Sequence, residues 1–119
     1  MVVKMKSLML ATSQVKKLIE FYTLLGITFE HKFIPKGSEF YQAKMEDFSF
    51  AIIGKEHMKI ETQPNCSLTF AVKHLDPIFS HLVAKGFIGI LDPTTIDEQK
   101  KCIILDPDGR SVELVEQQL

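Results

Sequence analysis

The sequence predicts an α+β fold of two tandem βαβββ units, which form a curved, mostly antiparallel eight-stranded sheet around a cleft, with the helices outside. First, the two halves align without gaps at an offset of 60 residues through one strand and one helix. Second, each half has one segment with apolar residues at i, i+3 and i+4, which indicates an amphipathic helix. Third, the chain closes on a hairpin whose turn reads Asp-Pro-Asp-Gly at 106–109.

The first unit, residues 1–54, begins with a predicted strand at 3–11. Thr12 or Ser13 is suited to cap the following helix, because a hydroxyl accepts a hydrogen bond from a free backbone N–H. The helix begins at Val15 and ends at Gly26, a typical residue for a helix C-terminus. Further strands are predicted at 27–34, 39–45 and 48–53, with turns at 35–38 and 46–47.

A polar segment at 55–65 is the predicted linker, and the pattern then begins again in the second unit, residues 66–119. Asp76 and Pro77 are predicted to be the cap and first residue of the second helix, and Gly86 ends it. The predicted strands are 66–73, 87–91, 99–105 and 111–115, with a turn or irregular connection at 92–95. The matched apolar phase and helix ends indicate a duplicated unit within a single domain, in which each unit covers the other's apolar sheet face.

The composition is that of an ordinary globular domain, with 45% hydrophobic and 24% charged residues and a net charge of -1. This charge gives no reason to expect nucleic acid or an anionic membrane as a partner. No apolar run approaches the roughly 18–20 residues of a membrane span, and no signal peptide is recognised. Cys66 and Cys102 are expected to be buried free thiols in a reducing compartment, so a cytoplasmic location is predicted.

Two segments give the chain a family resemblance. They are Phe21-Tyr22-Thr23-Leu24-Leu25-Gly26 after the first strand and Asp106-Pro107-Asp108-Gly109-Arg110-Ser111-Val112-Glu113-Leu114 at the end. With the βαβββ repeat, they resemble the vicinal oxygen chelate superfamily, which holds glyoxalase I, bleomycin-resistance proteins, extradiol dioxygenases and fosfomycin-resistance proteins. The resemblance covers the whole chain and implies the fold rather than one activity.

The resemblance also implies where a metal would be held. Metal enzymes of this superfamily place His, Glu or Gln on the first and last strands of each unit. The matching positions here are Ser7, Ala51, Ser67 and Glu113. A transition metal commonly takes three or more protein ligands, and one carboxylate with two hydroxyls does not supply them. We therefore expect neither a catalytic metal nor another cofactor.

Met9 and Thr69 complete the predicted ligand cleft, since Met9 has the same strand phase as Ser7. Glu113 is open to two interpretations: a carboxylate that binds a ligand or acts as a base, or an acid satisfied by neighbouring donors. The four histidines are expected at surface or structural positions, and only His57 in the linker is placed to reach the cleft mouth: His31, His57, His74 and His81. No nucleophile elbow, phosphate loop or HExxH pattern is present.

The leading prediction is a metal-free protein of the bleomycin-resistance type, which sequesters or senses a small organic molecule in the cleft. The alternative is a metal-dependent lyase or isomerase of the glyoxalase I type with displaced ligands, of which Glu113 is the one retained. A third possibility is a structural or regulatory domain without a small ligand. A homodimer is expected, because twofold dimers are the commonest oligomers. Whether the cleft forms within one chain or across the dimer is left open.

Overall fold

The computed structural model describes residues 3–34, 38–57 and 66–117. The first unit contains β1 (Ser7–Thr12), α1 (Val15–Leu24), β2 (Glu30–Ile34), β3 (Ser38–Met45) and β4 (Phe48–Gly54). The second contains β5 (Ser67–Val72), α2 (Leu75–Ala84), β6 (Gly89–Ile96), β7 (Gln99–Leu105) and β8 (Ser111–Glu116). The short 3₁₀ helix Lys55–His57 begins the predicted linker. The rest of the linker and most of the turn predicted at 35–38 lie outside the described residues.

The strand order confirms the two predicted βαβββ units. The first sheet has the order β1-β4-β3-β2 and the second the order β5-β8-β7-β6. In each unit the first strand is parallel to the last, while the other neighbours are antiparallel. The eight strands therefore form two mixed four-stranded sheets, with β1 and β5 as edge strands.

Each helix is held by the apolar stripe that the sequence predicts. Leu18 and Tyr22 of α1, and Leu75 and Leu82 of α2, are completely buried. Ten residues are too few for a stable isolated helix, so packing against the sheets must stabilise both helices. Gly26 and Gly86 follow the helix ends with φ values of +108° and +98°, which explains the matched glycines of the repeat.

The helix starts differ from the prediction. Thr12 does not cap α1, because its Oγ1 accepts a hydrogen bond from the N–H of Gln14, one residue before the helix, at 3.0 Å. Helix α2 begins at Leu75, so Asp76 and Pro77 lie inside its first turn. Its free N–H at Leu75 is bound instead by the carboxylate of Glu116, at 3.3 Å. The cap is thus supplied by a strand distant in sequence.

The equivalent place in the first unit holds another glutamate. Glu116 pairs with the end of β5 as Gly54 pairs with the end of β1. The carboxylate of Glu56 lies too close to Gly54 for a Cβ to be added there. The absence of a side chain at Gly54 therefore leaves room for the carboxylate of Glu56.

Strand β6 extends further than predicted. Residues 92–95, predicted as a turn or irregular connection, lie within the strand, and the register shifts there mark irregular pairing with β7. Pro93 is tolerated because β6 is an edge strand. The turn lies instead at Asp97 and Glu98, which both have positive φ.

Aromatic rings join the two units through one core. The ring of Phe70 in β5 lies 5.9 Å from that of Tyr22 and 5.8 Å from that of Phe50. The ring of Phe87 lies 5.1 Å from that of Phe21, edge to face. These contacts bury the helix-side faces of both sheets together.

Candidate ligand-binding face

Strand alternation assigns the predicted site residues to one side of each sheet. Leu10 of β1 and Phe50 of β4 belong to the core between sheets and helices. Their neighbours Met9 and Ala51 are paired across the strands, so they lie on the opposite side. In the second unit Phe70 and Leu114 pack at the core, while Thr69 and Glu113 form the corresponding pair on the opposite side. We call this side of both sheets the open face.

Ser7 and Ser67 lie on the same side at the start of the edge strands. Ser7 pairs with Ser49, two residues before Ala51, and Ser67 pairs with Ser111, two residues before Glu113. The six predicted site residues therefore occupy equivalent strand positions, three in each unit. Ser7, Met9, Ser67 and Thr69 are exposed, whereas Ala51 is buried and Glu113 is half-buried.

Glu113 has two partners on the open face. The Thr69 hydroxyl donates a hydrogen bond to Glu113 Oε1 at 3.1 Å. The Lys101 ammonium lies 3.9 Å from Glu113 Oε2, close enough for an ion pair and too far for a hydrogen bond. The carboxylate is therefore oriented on one oxygen and only loosely held on the other.

Lys101 was missed by the sequence analysis, although the signal was present. Strand β7 pairs with β8 across the Asp-Pro-Asp-Gly turn, with Ile103 opposite Glu113 and Lys101 opposite Val115. Counting outward from the turn would have placed Lys101 diagonal to Glu113 on the same side.

Apolar side chains surround this ion pair. Ile103 and Leu105 follow Lys101 at alternate positions of β7, and Val115 follows Glu113 on β8. All three are half-buried. The open face of the second unit is therefore an apolar surface that contains one carboxylate, of Glu113, and one ammonium group, of Lys101.

The hairpin turn that carries β8 is anchored to the first unit. Asp106 accepts hydrogen bonds at Oδ1 from the backbone N–H groups of Asp108 and Arg110, at 2.9 and 3.0 Å. Its Oδ2 accepts from the Tyr22 hydroxyl at 2.7 Å and from Arg110 Nη1 at 3.1 Å. Gln14 Nε2 donates to the carbonyl of Pro107 at 2.8 Å and to Asp108 Oδ1 at 2.7 Å.

Burial and the neighbouring charges together determine the ionisation of this cluster. Burial, with the Asp106 charge next, holds the pKa of the Tyr22 phenol far above its ordinary value. Burial alone would lower the pKa of the Arg110 guanidinium, but its contacts with Asp106 and Asp108 raise it. Arg110 Nη2 also donates to the Ala11 carbonyl at 3.3 Å, so a charged group of the second unit binds the end of β1.

Three clefts lined by described residues lie away from the open face. One, of about 350 Å³, lies between the α1–β2 loop and the end of β5. Others of about 320 and 230 Å³ lie beside α1. None of the three is lined by Ser7, Met9, Ala51, Ser67, Thr69 or Glu113.

Solved structures show the same architecture. A glyoxalase-related enzyme from Fulvimarina pelagi superposes with a TM-score of 0.74 at 16% identity, covering 98% of this chain and 89% of that one. A glyoxalase/bleomycin resistance protein/dioxygenase family enzyme from Burkholderia phytofirmans gives a TM-score of 0.71 at 14% identity, covering 96% and 98%. A superfamily member from Sphaerobacter thermophilus gives 0.71 at 20% identity, covering 98% of each chain. The chain has the vicinal oxygen chelate fold. No protein-family model and no curated protein matches the sequence.

The structure shows which donor groups stand at the four positions that the family resemblance implies for metal ligands. Ser7, Ala51 and Ser67 supply two neutral hydroxyls and a methyl group, and Glu113 faces a lysine ammonium. Within the described ranges, no three His, Cys, Asp or Glu side chains are grouped so that they could hold a metal ion. These residues do not fit a divalent metal, because such an ion needs several anionic or imidazole donors.

The histidine side chains that the structure describes lie away from that set. His31 stacks on Tyr41 at 4.5 Å and lies 3.0 Å from Glu39 Oε2, on the side opposite the open face. His74 is the N-cap residue of α2, and His81 lies in its last turn. The side chain of His57 is outside the description. Cys66 is exposed, contrary to the prediction, because it precedes β5, whereas Cys102 is buried as predicted.

Among the residues that the structure describes, no helix is long and apolar enough to cross a lipid bilayer.

Proposed function

We propose that this protein binds a small organic molecule on the open face without a catalytic metal, to sequester or sense it. The observation that carries the proposal is the environment of Glu113. Its carboxylate binds the Thr69 hydroxyl and faces the Lys101 ammonium, so a metal ion approaching it would meet a fixed positive charge. The polar groups of Thr69, Lys101 and Glu113 are instead suited to form hydrogen bonds with an organic ligand.

The surrounding side chains support an organic ligand. Half-buried Ile103, Leu105 and Val115 in the second unit offer apolar contact, and exposed Met9 in the first adapts its shape to a ligand. A few polar groups within an apolar surface are typical of small-molecule sites.

We propose further that a second copy of the chain closes the site in a homodimer. Met9 is 43% exposed, and the six predicted residues line none of the three clefts. An open surface buries too little of a small ligand for tight binding, and an isologous partner would cover it. Sedimentation should show a dimer, and a monomer that persists at all concentrations would contradict this.

The alternative, a metal-dependent lyase or isomerase with displaced ligands, has less support. Glu113 would be its one retained ligand, and the described residues offer no group of three donors to join it. Side chains outside the description would have to supply the remaining ligands.

Two measurements test the proposed function. Titration with Zn²⁺, Ni²⁺, Mn²⁺ and Fe²⁺ should show no stoichiometric tight binding, and the Glu113→Ala variant should behave like the wild type. A thermal-shift screen of small aromatic compounds should find some that raise the melting temperature, because a ligand that binds only the folded state stabilises it. Tight metal binding that is lost in Glu113→Ala would overturn the proposal, as would a screen without any stabilising compound.

A further inference from the structure

The ion pair on the open face has unused hydrogen-bonding capacity on both sides. Lys101 Nζ and Glu113 Oε2 are 3.9 Å apart, beyond hydrogen-bond distance, and Thr69 occupies only the other oxygen, Oε1. Among the described residues Lys101 has no other ion pair, and its side chain is only 24% exposed. An ammonium donor and a carboxylate acceptor therefore stand side by side, each available to a ligand.

The opposite charges select against ligands with a net charge. An anion would be attracted by Lys101 and repelled by Glu113 a few ångströms away, and the reverse holds for a cation. A neutral molecule with an acceptor next to a donor meets both groups favourably. The carbonyl oxygen of an amide would accept from Lys101, while its N–H would donate to Glu113, and both hydrogen bonds would be strengthened by a charged partner.

The apolar residues around the pair indicate the rest of the molecule. Ile103, Leu105 and Val115 lie on the same side of the sheet as Lys101 and Glu113 and are half-buried. A flat apolar group attached to the amide would cover them and gain by removing apolar surface from water.

We infer that the ligand class is a neutral carboxamide, lactam or similar amide with an apolar body, bound by Lys101 and Glu113. This inference rests on the proposed function, since it names the ligand of the same face. It also assigns Lys101, at a position without a predicted role, as a residue that determines specificity.

Three compounds of the same shape separate charge from size: benzamide, benzoate and benzamidine. Titrations followed by amide chemical shifts should show that the wild type binds benzamide most tightly. Lys101→Met should weaken the binding of benzamide by about tenfold, which is the effect of losing one charge-assisted hydrogen bond. The same variant should bind benzamidine more tightly than benzamide. Glu113→Gln should bind benzoate more tightly than benzamide.

The chain offers a matched control on the same strand. Lys100 also pairs with an acid, Asp76, but it lies on the helix side of β7. Lys100→Met should leave all three affinities unchanged.

Each outcome decides the inference. Equal affinities of the wild type for the three compounds, or an unchanged order in both variants, would overturn it while leaving the proposed function standing. Absence of saturable benzamide binding would also overturn it. If, in addition, no compound in the thermal-shift screen binds, the proposed function fails with it.

Discussion

The Tyr22 hydroxyl donates a hydrogen bond to Asp106 Oδ2 at 2.7 Å, from a helix of the first unit to the closing hairpin of the second. Both side chains are buried, and Arg110 balances the charge of Asp106 at 3.1 Å. The strand that carries Glu113 is thus fixed to the first unit by a bond between residues 84 positions apart.

Removing either partner of this bond should destabilise the whole chain. Tyr22→Phe leaves one lone pair of a buried carboxylate unsatisfied and should lower the free energy of unfolding by about 1–2 kcal/mol. Asp106→Ala also leaves Arg110 without its buried partner and should lower the free energy of unfolding by about 3 kcal/mol or more. Denaturant unfolding measures both, with Asp47→Ala as the control, because Asp47 is an exposed partner of Lys4 and Lys6. Equal effects of Tyr22→Phe and Asp47→Ala would show that the hydrogen bond between Tyr22 and Asp106 does not contribute to stability.

Acidification should weaken the hairpin anchor through Asp108. Burial alone would raise the pKa of this carboxyl, but hydrogen bonds from Gln14, Thr12 and Arg110 outweigh burial and hold the pKa below its ordinary 3.8. The unfolded chain then binds the proton more readily, so the stability from Asp108 is complete above the unfolded pKa and is lost as pH falls through the folded one. Unfolding curves at several pH values below 5 should show a shallower decline for Asp108→Asn than for the wild type. Parallel declines would contradict this assignment.

The two thiols should react at different rates. Cys66 is exposed, whereas Cys102 is completely buried and burial raises the pKa of its thiol to about 11. Because the thiolate is the reactive form, a disulfide reagent should modify one thiol in the native protein and the second only in denaturant. Cys66→Ser should abolish the native reaction. Rapid modification of Cys102 without denaturant would show that the core opens readily.

A side chain at Gly89 should collide with α2. An added Cβ would lie 2.8 Å from Cζ of Phe79, a largely buried ring. Gly89→Ala should therefore destabilise the fold by about 1–3 kcal/mol, the usual cost of overpacking. The same substitution in a Phe79→Leu background should cost less, since the obstructing ring is gone. Equal costs in the two backgrounds would assign the effect to the strand backbone instead.

The sequence predicts those features that repeat or that depend on a few adjacent residues. The glycines at 26 and 86 and the turn at 106–109 have local conformational reasons, and the structure contains them where expected. Strand alternation likewise accounts for Phe50 and Phe70, which pack at the core next to Ala51 and Thr69 of the opposite side.

Features that depend on distant contacts were not predictable from local patterns. The cap of α2 comes from Glu116, not from Asp76, because a carboxylate at the end of β8 reaches the Leu75 N–H. The role of Asp106 beyond the turn likewise depends on Tyr22, to which no local signal points. At the candidate site, strand alternation places the predicted residues on one side, but the contact between Glu113 and Lys101 requires the pairing of β7 with β8.

The position of Lys101 also bears on how this chain could evolve. A metal site built around Glu113 would need new ligands at two or more of Ser7, Ala51 and Ser67, and none of these changes alone would bind an ion. Lys101 would oppose every intermediate, because its charge repels a cation until it too is replaced. Several mutational steps therefore separate the residues now at these positions from a set of three metal ligands.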